Sequence, residues 1–416
     1  MSSKKHKIQT PEDIINSKHF CILPWIHMYI LPDNTGLPCC VTDHADSYAD
    51  LKKNTLKDGI NSEKMRAMRK LMLEDRPVYS CDYCMTLEKS GGFSMRKEMN
   101  QWFSHHATEL KSTQSNGAIP DHKMRYLDVR FSNRCNFKCR GCSPTLSTQW
   151  YEDYEKLWGV KSEQPKLVNS ISDNPKLWQD LVGQIEHLER AYFAGGEPLL
   201  MEEHYQFLEL LIARERKDII LSYNSNLSVL KFKQYDLLAL WRQFKVVHLM
   251  VSLDDIEQRG EYFRSGLVWT KFIKNLSLIK KELPHVRVTI NCTVSLFNIS
   301  RIPEIHSFLY GNGYIDSNGF LFNSLVTPEV YRTQTLPQKL KLLFRAKLIS
   351  YLVDLKQKYP TVDWMQFDND LKHEIKYMLE QDLSHLQQEF RDRTLKLDRI
   401  RGEDFVTTFP ELKNLF

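Results

Sequence analysis

Three cysteines in the run Cys135-Asn136-Phe137-Lys138-Cys139-Arg140-Gly141-Cys142 constrain this chain most, because thiols spaced C-x3-C-x2-C must share one short loop. Three thiolates so close together can wrap three irons of a cubane cluster and leave the fourth iron open, whereas a structural zinc site uses four ligands in two pairs. Eight of the nine cysteines fall before residue 143. The amino terminus, MSSKKHKIQT, has no apolar core of the kind a secretory signal needs, and no run of about twenty apolar residues could span a bilayer. The expected compartment is therefore the cytoplasm, with no membrane partner. Clustered thiols there bind metal or do redox chemistry more often than they form disulfides.

From Met124 onward short apolar β-type runs alternate with longer helical segments, as in parallel βα units. The expected strands are Tyr126 to Phe131, Ala191 to Ala194, Ile219 to Tyr223, Val247 to Leu253, Val286 to Val294 and Gly319 to Val326. Six such units fit an open doubly wound sheet or a partial barrel, and either architecture puts ligands at the carboxyl ends of the strands. The cysteine run begins just beyond the first strand. Ala194-Gly195-Gly196-Glu197-Pro198 follows the second and Asn224-Ser225-Asn226 closes the third. Ser252-Leu253-Asp254-Asp255 closes the fourth, with Arg264 downstream.

Together these segments resemble the radical S-adenosylmethionine (SAM) superfamily, whose signature is the same cysteine spacing after the first strand of a partial TIM barrel. The resemblance implies an α/β fold with a partial (βα)6 barrel, and a [4Fe-4S] cluster on Cys135, Cys139 and Cys142. It also implies reductive cleavage of SAM to a 5'-deoxyadenosyl radical that abstracts hydrogen from a substrate. Gly195, Gly196 and Glu197 resemble the family's GGEP motif, in which the carboxylate meets the SAM amine. Asn224 and Asn226 match a polar segment near the ribose, Ser252 and Asp254 resemble the family's Ser-Leu-Asp-Gly segment, and Arg264 would face the SAM carboxylate, since a guanidinium matches its two oxygens. Two positions depart from the pattern. Gly141 stands where an aromatic residue is common, and Leu227 where a glycine is. Cys292, mid-strand, reads as a small core residue.

The amino-terminal thiols resemble the SPASM and twitch modules that bind auxiliary iron-sulfur clusters, through Gly36-Leu37-Pro38-Cys39 and the pair Cys81 and Cys84. Cys21, Cys39, Cys81 and Cys84 are the expected ligands of a second [4Fe-4S] cluster. Zinc is the competing occupant, because four thiols also suit a tetrahedral ion. Spacing alone leaves Cys39 and Cys40 open as alternatives; the Gly-x-Pro turn favours Cys39. His27 and His44 read as hydrogen-bonding or surface residues rather than ligands. Such modules usually follow the barrel, and here the cysteines precede it.

The polar stretch Ser112 to Pro120 marks a boundary, so the expected organisation is a cysteine-rich region over 1–120, a barrel over 121–335 and a helical region over 336–416. Helical text is expected from Ser62 to Asp75 and strand-like text from Pro24 to Leu31. One helical stripe runs through Leu340, Leu343, Phe344, Leu348, Tyr351, Leu352 and Leu355. A second runs through Ile375, Leu379, Leu383, Leu386 and Phe390. A net charge of +5 permits an anionic substrate without indicating nucleic acid. The family implies an electron donor such as a flavodoxin or ferredoxin, and a peptide, protein or small molecule as substrate. The rival readings are a metal-stabilised binding protein without catalysis, and an enzyme of the same family acting on a sugar or nucleotide.

Overall fold

A computed structural model describes residues 8–89, 92–162 and 165–416. Its strands are β1 (His27–Ile30), β2 (Thr35–Leu37), β3 (Ala49–Asp50), β4 (Tyr126–Val129), β5 (Arg190–Phe193), β6 (Ile220–Ser225), β7 (Lys231–Phe232), β8 (Tyr235–Asp236), β9 (Val247–Ser252), β10 (Val286–Val294) and β11 (Phe320–Ser324). The six strands expected from the apolar runs are β4, β5, β6, β9, β10 and β11, with ends that agree to within two residues. The fold is α/β, with these six strands separated by helices.

The chain forms two compact units. The first comprises residues up to Ser132, Val168–Ala194 and Gln206–Leu221; the second comprises Asn133–Leu167, Gly195–Tyr205 and Ser222–Phe416. In the first unit the strand order is β5-β4-β1-β2-β3. β1 lies parallel to β4, from His27 beside Tyr126 to Ile30 beside Val129, and β4 lies parallel to β5. The Pro24 to Leu31 stretch is only half strand. Its start is a helical turn, Leu23–Ile26, because Pro24 occupies the first turn, where a missing N–H costs nothing. Asn34 turns the chain back with φ of 69°, a conformation asparagine tolerates, and Leu31 N donates to Thr35 O at 2.9 Å. β2 then runs antiparallel to both β1 and β3.

The expected helix from Ser62 is present as Glu63–Leu73, with Ser62 accepting from Met65 N as its cap. It buries Met65, Met68 and Met72, and with them Arg69. That guanidinium donates to three backbone carbonyls, Pro24 O at 2.9 Å, Ile60 O at 2.5 Å and Gly117 O at 3.0 Å. One side chain thus closes three chain segments over the core of this unit.

In the second unit the strand order is β11-β10-β9-β6, and β9, β10 and β11 pair in parallel. β10 alternates along its length. Val288, Ile290, Cys292 and Val294 are buried, while Thr289, Asn291 and Thr293 are half-buried, so one face is apolar and the other polar. Cys292 is fully buried on the apolar face. The carboxy-terminal region is helical, beginning with Gln338–Lys358, which buries Phe344, Leu348, Leu352 and Leu355. Leu343, expected on the same stripe, is exposed instead. The second stripe is not one helix. Met365–Glu380 stops at Gln381, which is extended, Leu383 N donates to Gln334 O at 3.0 Å, and a new helix runs over Gln387–Arg401. Among the described residues no helix is long and apolar enough to cross a membrane.

Because Arg69 satisfies carbonyls of three buried residues, Arg69→Met should lower the stability of the folded chain by about 3 kcal/mol. Urea unfolding checks this. A change below about 0.5 kcal/mol would mean that those carbonyls find other donors.

Candidate metal centres

The cysteine run has no regular structure, so its shape comes from hydrogen bonds to neighbouring segments of the second unit. Lys138 N donates to Ser265 O and Arg140 N to Phe263 O, both at 2.8 Å, a short ladder against the end of helix Glu257–Phe263. Cys142 N donates to Cys139 O at 2.9 Å, and Trp150 Nε1 donates to the same carbonyl at 2.8 Å. Gly266 makes the ladder possible: its φ is 108°, and a Cβ there would come within 2.8 Å of Asn136 O. At Gly141 a Cβ would lie 3.1 Å from Leu325 and 3.5 Å from Phe263, so an aromatic ring there would need both neighbours to move.

Cys135, Cys139 and Cys142 are free, half-buried thiols. Burial pushes all three upward, Cys142 to about 12. Donors nevertheless approach the sulfurs. Phe137 N and Asn226 Nδ2 reach Cys135 Sγ at 3.5 and 3.9 Å, and Arg264 Nη1 reaches Cys139 Sγ at 3.9 Å. Cations and N–H groups aimed at sulfur favour thiolate, the form that ligates metal.

Of the other residues named from the sequence, Gly196, Glu197, Asn226, Arg264 and, through Arg264, Asp254 meet this loop. Gly196 has φ of 39°, and a Cβ on it would stand 2.2 Å from Arg134 O, so the second glycine of Gly195-Gly196 lets the turn meet the start of the cysteine loop. Glu197 N donates to that carbonyl at 2.7 Å. The Glu197 carboxylate, 1% exposed, accepts from Asn226 N at 2.7 Å, Ser225 Oγ at 2.8 Å and Leu199 N at 3.0 Å. Burial still raises it to about 7, against the pull of those donors and of Arg264. Asn226 also donates to Asn136 Oδ1 at 3.0 Å. Asp254 and Arg264 pair with each other through two contacts, at 2.8 and 3.0 Å, and Thr293 N donates to Asp254 Oδ1 at 2.8 Å. Asn224 and Ser252 are half-buried further along the sheet. Asn224 accepts from Asn291 Nδ2 at 3.3 Å, and Asn291 accepts from Asn323. Asn136, Asn291 and Asn323 carry no motif. The polar alternation of Thr289, Asn291 and Thr293 is the signal that could have marked this face.

In the first unit Cys21, Cys39, Cys81 and Cys84 line one small cavity, together with Met95 and Arg96. Cys39 follows β2, Cys81 ends the turn Tyr79–Cys81, and Cys84 lies in helix Asp82–Lys89. Burial pushes Cys81 up to about 12, while the Arg96 charge opposes that rise. Arg96 is itself fixed by Glu88, at 2.5 and 2.9 Å, and donates to Phe20 O at 2.9 Å. Cys40 does not line the cavity; its Sγ points to Met95 Sδ at 3.5 Å. His27 is buried with Nδ1 on Tyr126 O at 2.9 Å, and His44 bonds Cys40 O at 3.3 Å.

The sulfur spacing distinguishes possible occupants. Four thiolates around one zinc ion, at about 2.3 Å each, would bring the sulfurs within about 4 Å of one another. Among the described residues the one group of three or more metal-ligating atoms all within 4.8 Å is His105, His106 and Glu189, so neither cysteine set is drawn that tightly. Each set has a guanidinium beside it that offsets thiolate charge, Arg264 at the loop and Arg96 at the four-thiol cavity.

Comparison with known proteins bears on both centres. Residues 129–309 match the family model of the radical SAM superfamily, and residues 21–85 match that of the SPASM iron-sulfur cluster-binding domain. The latter description answers the zinc alternative in favour of iron and sulfur. The chain is 26% identical over 138 residues to a GTP 3',8-cyclase of Campylobacter lari, covering 32% of this chain and 35% of that protein. It is 24% identical over 204 residues to a GTP 3',8-cyclase of Aliarcobacter butzleri, covering 46% and 54%. It thus spans between about a third and a half of these curated relatives. Among solved structures, anSMEcpe with bound AdoMet is 19% identical with a TM-score of 0.37, covering 55% of this chain and 62% of that one. Streptococcus suis SuiB bound to S-adenosylmethionine is 15% identical with a TM-score of 0.35, covering 73% and 68%.

Glu197 gives a pH test of this geometry. Its folded value near 7 exceeds the ordinary value of 4.5, so the fold favours its protonated form. Its contribution is therefore complete below about 4.5 and is lost as the pH rises through about 7. The melting temperature of the metal-free chain should fall over that window, and Glu197→Gln should reduce the slope. Equal slopes would show that this carboxyl titrates alike in the folded and unfolded chains.

Proposed function

We propose that this chain, whose residues 129–309 match the radical SAM superfamily and 21–85 the SPASM iron-sulfur cluster-binding domain, abstracts hydrogen from a substrate by reductive cleavage of SAM. A [4Fe-4S] cluster, when bound, supplies the electron that cleaves the sulfonium and yields a 5'-deoxyadenosyl radical. Cys135, Cys139 and Cys142 would hold it. The observation that carries this reading is the shared loop: three free thiols on one short segment, Cys142 N donating to Cys139 O, with a guanidinium 3.9 Å from the middle sulfur.

The chain's own residues supply binding and orientation. Gly195 and Gly196 form the turn that meets the start of the loop, and Glu197 holds the ends of two strand loops while offering carboxylate oxygens to the SAM amine. Asp254 grips one edge of Arg264 and fixes the other near Cys139, where it would meet the SAM carboxylate. Asn224, Asn226 and Ser252 provide amide and hydroxyl groups for the ribose. Cys21, Cys39, Cys81 and Cys84 would hold a second cluster by four thiolates, leaving it no open iron for SAM. Arg96 offsets its negative charge. An electron donor of the flavodoxin or ferredoxin type completes the reaction, and the compartment is the reducing cytoplasm. The substrate we assign is a peptide or protein, on the strength of the SPASM domain. A nucleotide is the second reading, supported by the GTP 3',8-cyclases among the relatives.

Anaerobically reconstituted protein should hold about eight irons per chain and form 5'-deoxyadenosine from SAM and reductant. Replacing Cys135, Cys139 and Cys142 together by alanine should leave about four irons and no product. Undiminished product in that variant would overturn the catalytic assignment.

Exchanging Cys81 and Cys84 for alanine should lower iron while sparing some SAM cleavage, whereas Cys40→Ser should keep the full iron content. Loss of half the iron in Cys40→Ser would exchange the roles of Cys39 and Cys40.

A further inference from the structure

The carboxy-terminal helix Gln387–Arg401 carries no family motif, yet its last turn packs against the cysteine loop. Trp150, Leu157 and Leu397 form a small buried core, with Cys142 and Ile400 packed against it. Two residues of the loop are also tied down by charge. Arg140, fully buried, pairs with Asp398 and with Glu403 at 2.5 Å, and its guanidinium stacks 3.8 Å from the Tyr262 ring. Lys138 pairs with Asp153 at 3.0 Å. Arg401 completes the set through its Nε, 2.7 Å from Asp153 Oδ2. Three cations thus face three carboxylates, so the arrangement is neutral without any further group.

Arg140 and Arg401 both leave guanidinium nitrogens buried without a partner, Nε and Nη1 in Arg140, but Arg140 is held by two carboxylates and Arg401 by one. The Arg401 side chain is 1% exposed, and its Nη1 and Nη2 are buried with no hydrogen-bond partner among the described residues. A guanidinium presents five N–H donors, and leaving most of them dry and unmatched is costly. The group lies 4.9 Å over the ring of Trp150, whose Nε1 donates to Cys139 O. Ile400, the residue before Arg401, packs on the same small core as Cys142. The unmatched donors therefore lie in the neighbourhood where negative charge arrives when the thiols bind a cluster.

We propose that Arg401 is a positioning residue for the cluster at Cys135, Cys139 and Cys142, its unmatched Nη groups and positive charge stabilising the reduced, more negative state. Asp153 aims it through Nε, and the Arg140 pairs with Asp398 and Glu403 dock its helix. The inference rests on the radical SAM reading of that loop. It gives the carboxy-terminal region a role in setting how readily the cluster takes its electron.

The test is a redox titration of the anaerobically reconstituted full-length chain, following the paramagnetic signal that changes on adding SAM, with iron content and melting temperature measured in parallel. Removing a cation beside the cluster should make reduction harder. Arg401→Met should lower the reduced-to-oxidised ratio at fixed potential about tenfold, or about 59 mV for one electron. Arg401→Lys should recover most of that shift, and Asp153→Asn, which unmasks the cation, should move the potential the opposite way. A purely structural role would change melting temperature without these opposed signs. If Arg401→Met does not fold, Asp153→Asn and Arg401→Lys decide. Potentials equal to wild type in every variant that folds overturn the proposal while the wild-type signal leaves the functional reading intact. Absence of any SAM-responsive signal in wild type overturns both.

Discussion

The two backbone hydrogen bonds from Lys138 and Arg140 to Ser265 and Phe263 are the constraint on which the cysteine loop depends. A loop of this length has no ladder of its own, so three thiols on it would otherwise explore many arrangements. Borrowing carbonyls from the end of helix Glu257–Phe263 fixes the loop and simultaneously brings Arg264 against Cys139. The same segment needs Gly266, because the loop backbone passes where any Cβ would stand. Position of the sulfurs and position of the nearest cation are therefore one structural decision.

Burial around the loop raises an electrostatic problem that the chain meets with pairs. Glu197, Asp254, Arg264 and Arg140 are all nearly inaccessible, and an isolated charge at such depth would neutralise rather than persist. Arg264 keeps its charge because Asp254 matches it through two contacts, and Asp254 is in turn held by the Thr293 N–H. Glu197 is the weaker case. Its three donors do not fully offset desolvation, which is why it titrates near neutrality and why a cationic ligand group beside it would lower that value. The first unit solves a comparable problem differently, with the Arg96 guanidinium fixed by Glu88 at the edge of a four-thiol cavity.

Much of this architecture is legible in the sequence for reasons that are physical. Buried parallel strands are short apolar runs between helical segments, so β4, β5, β6, β9, β10 and β11 could each be named from composition and period. The cysteine loop and Gly-Gly-Glu-Pro turn could be named because chemistry at close quarters demands particular residues at fixed spacing. Pairing between distant residues leaves no such trace. Nothing in the sequence says that Asp254 binds Arg264, that Glu197 accepts from Asn226 N, or that Asn291 joins Asn224 to Asn323. Helical period failed too where a stripe crosses a break: Leu383 and Leu386 continue the spacing of Ile375 and Leu379, yet Gln381 is extended between them. Leu343 shows the converse limit, since apolar character at the right spacing does not bury a side chain that has nothing to pack against.

The distinction between Cys39 and Cys40 illustrates why local geometry decides what spacing cannot. Adjacent residues leaving a strand project to opposite sides, so only one of a Cys-Cys pair can join a given cavity without distorting the backbone. β2 ends at Leu37, and Pro38 fixes the backbone dihedral at the residue before the pair. Cys39 consequently turns toward Cys21, Cys81 and Cys84, while Cys40 turns to Met95 and toward the charges of Asp128 and Arg130. Exchanging the two would require the hairpin of β1 and β2 to slip by one residue. That slip would undo the close packing at Gly36, where a Cβ would lie 2.8 Å from Met28. Close packing at Gly36 thus holds the register that turns Cys39 toward the other three thiols.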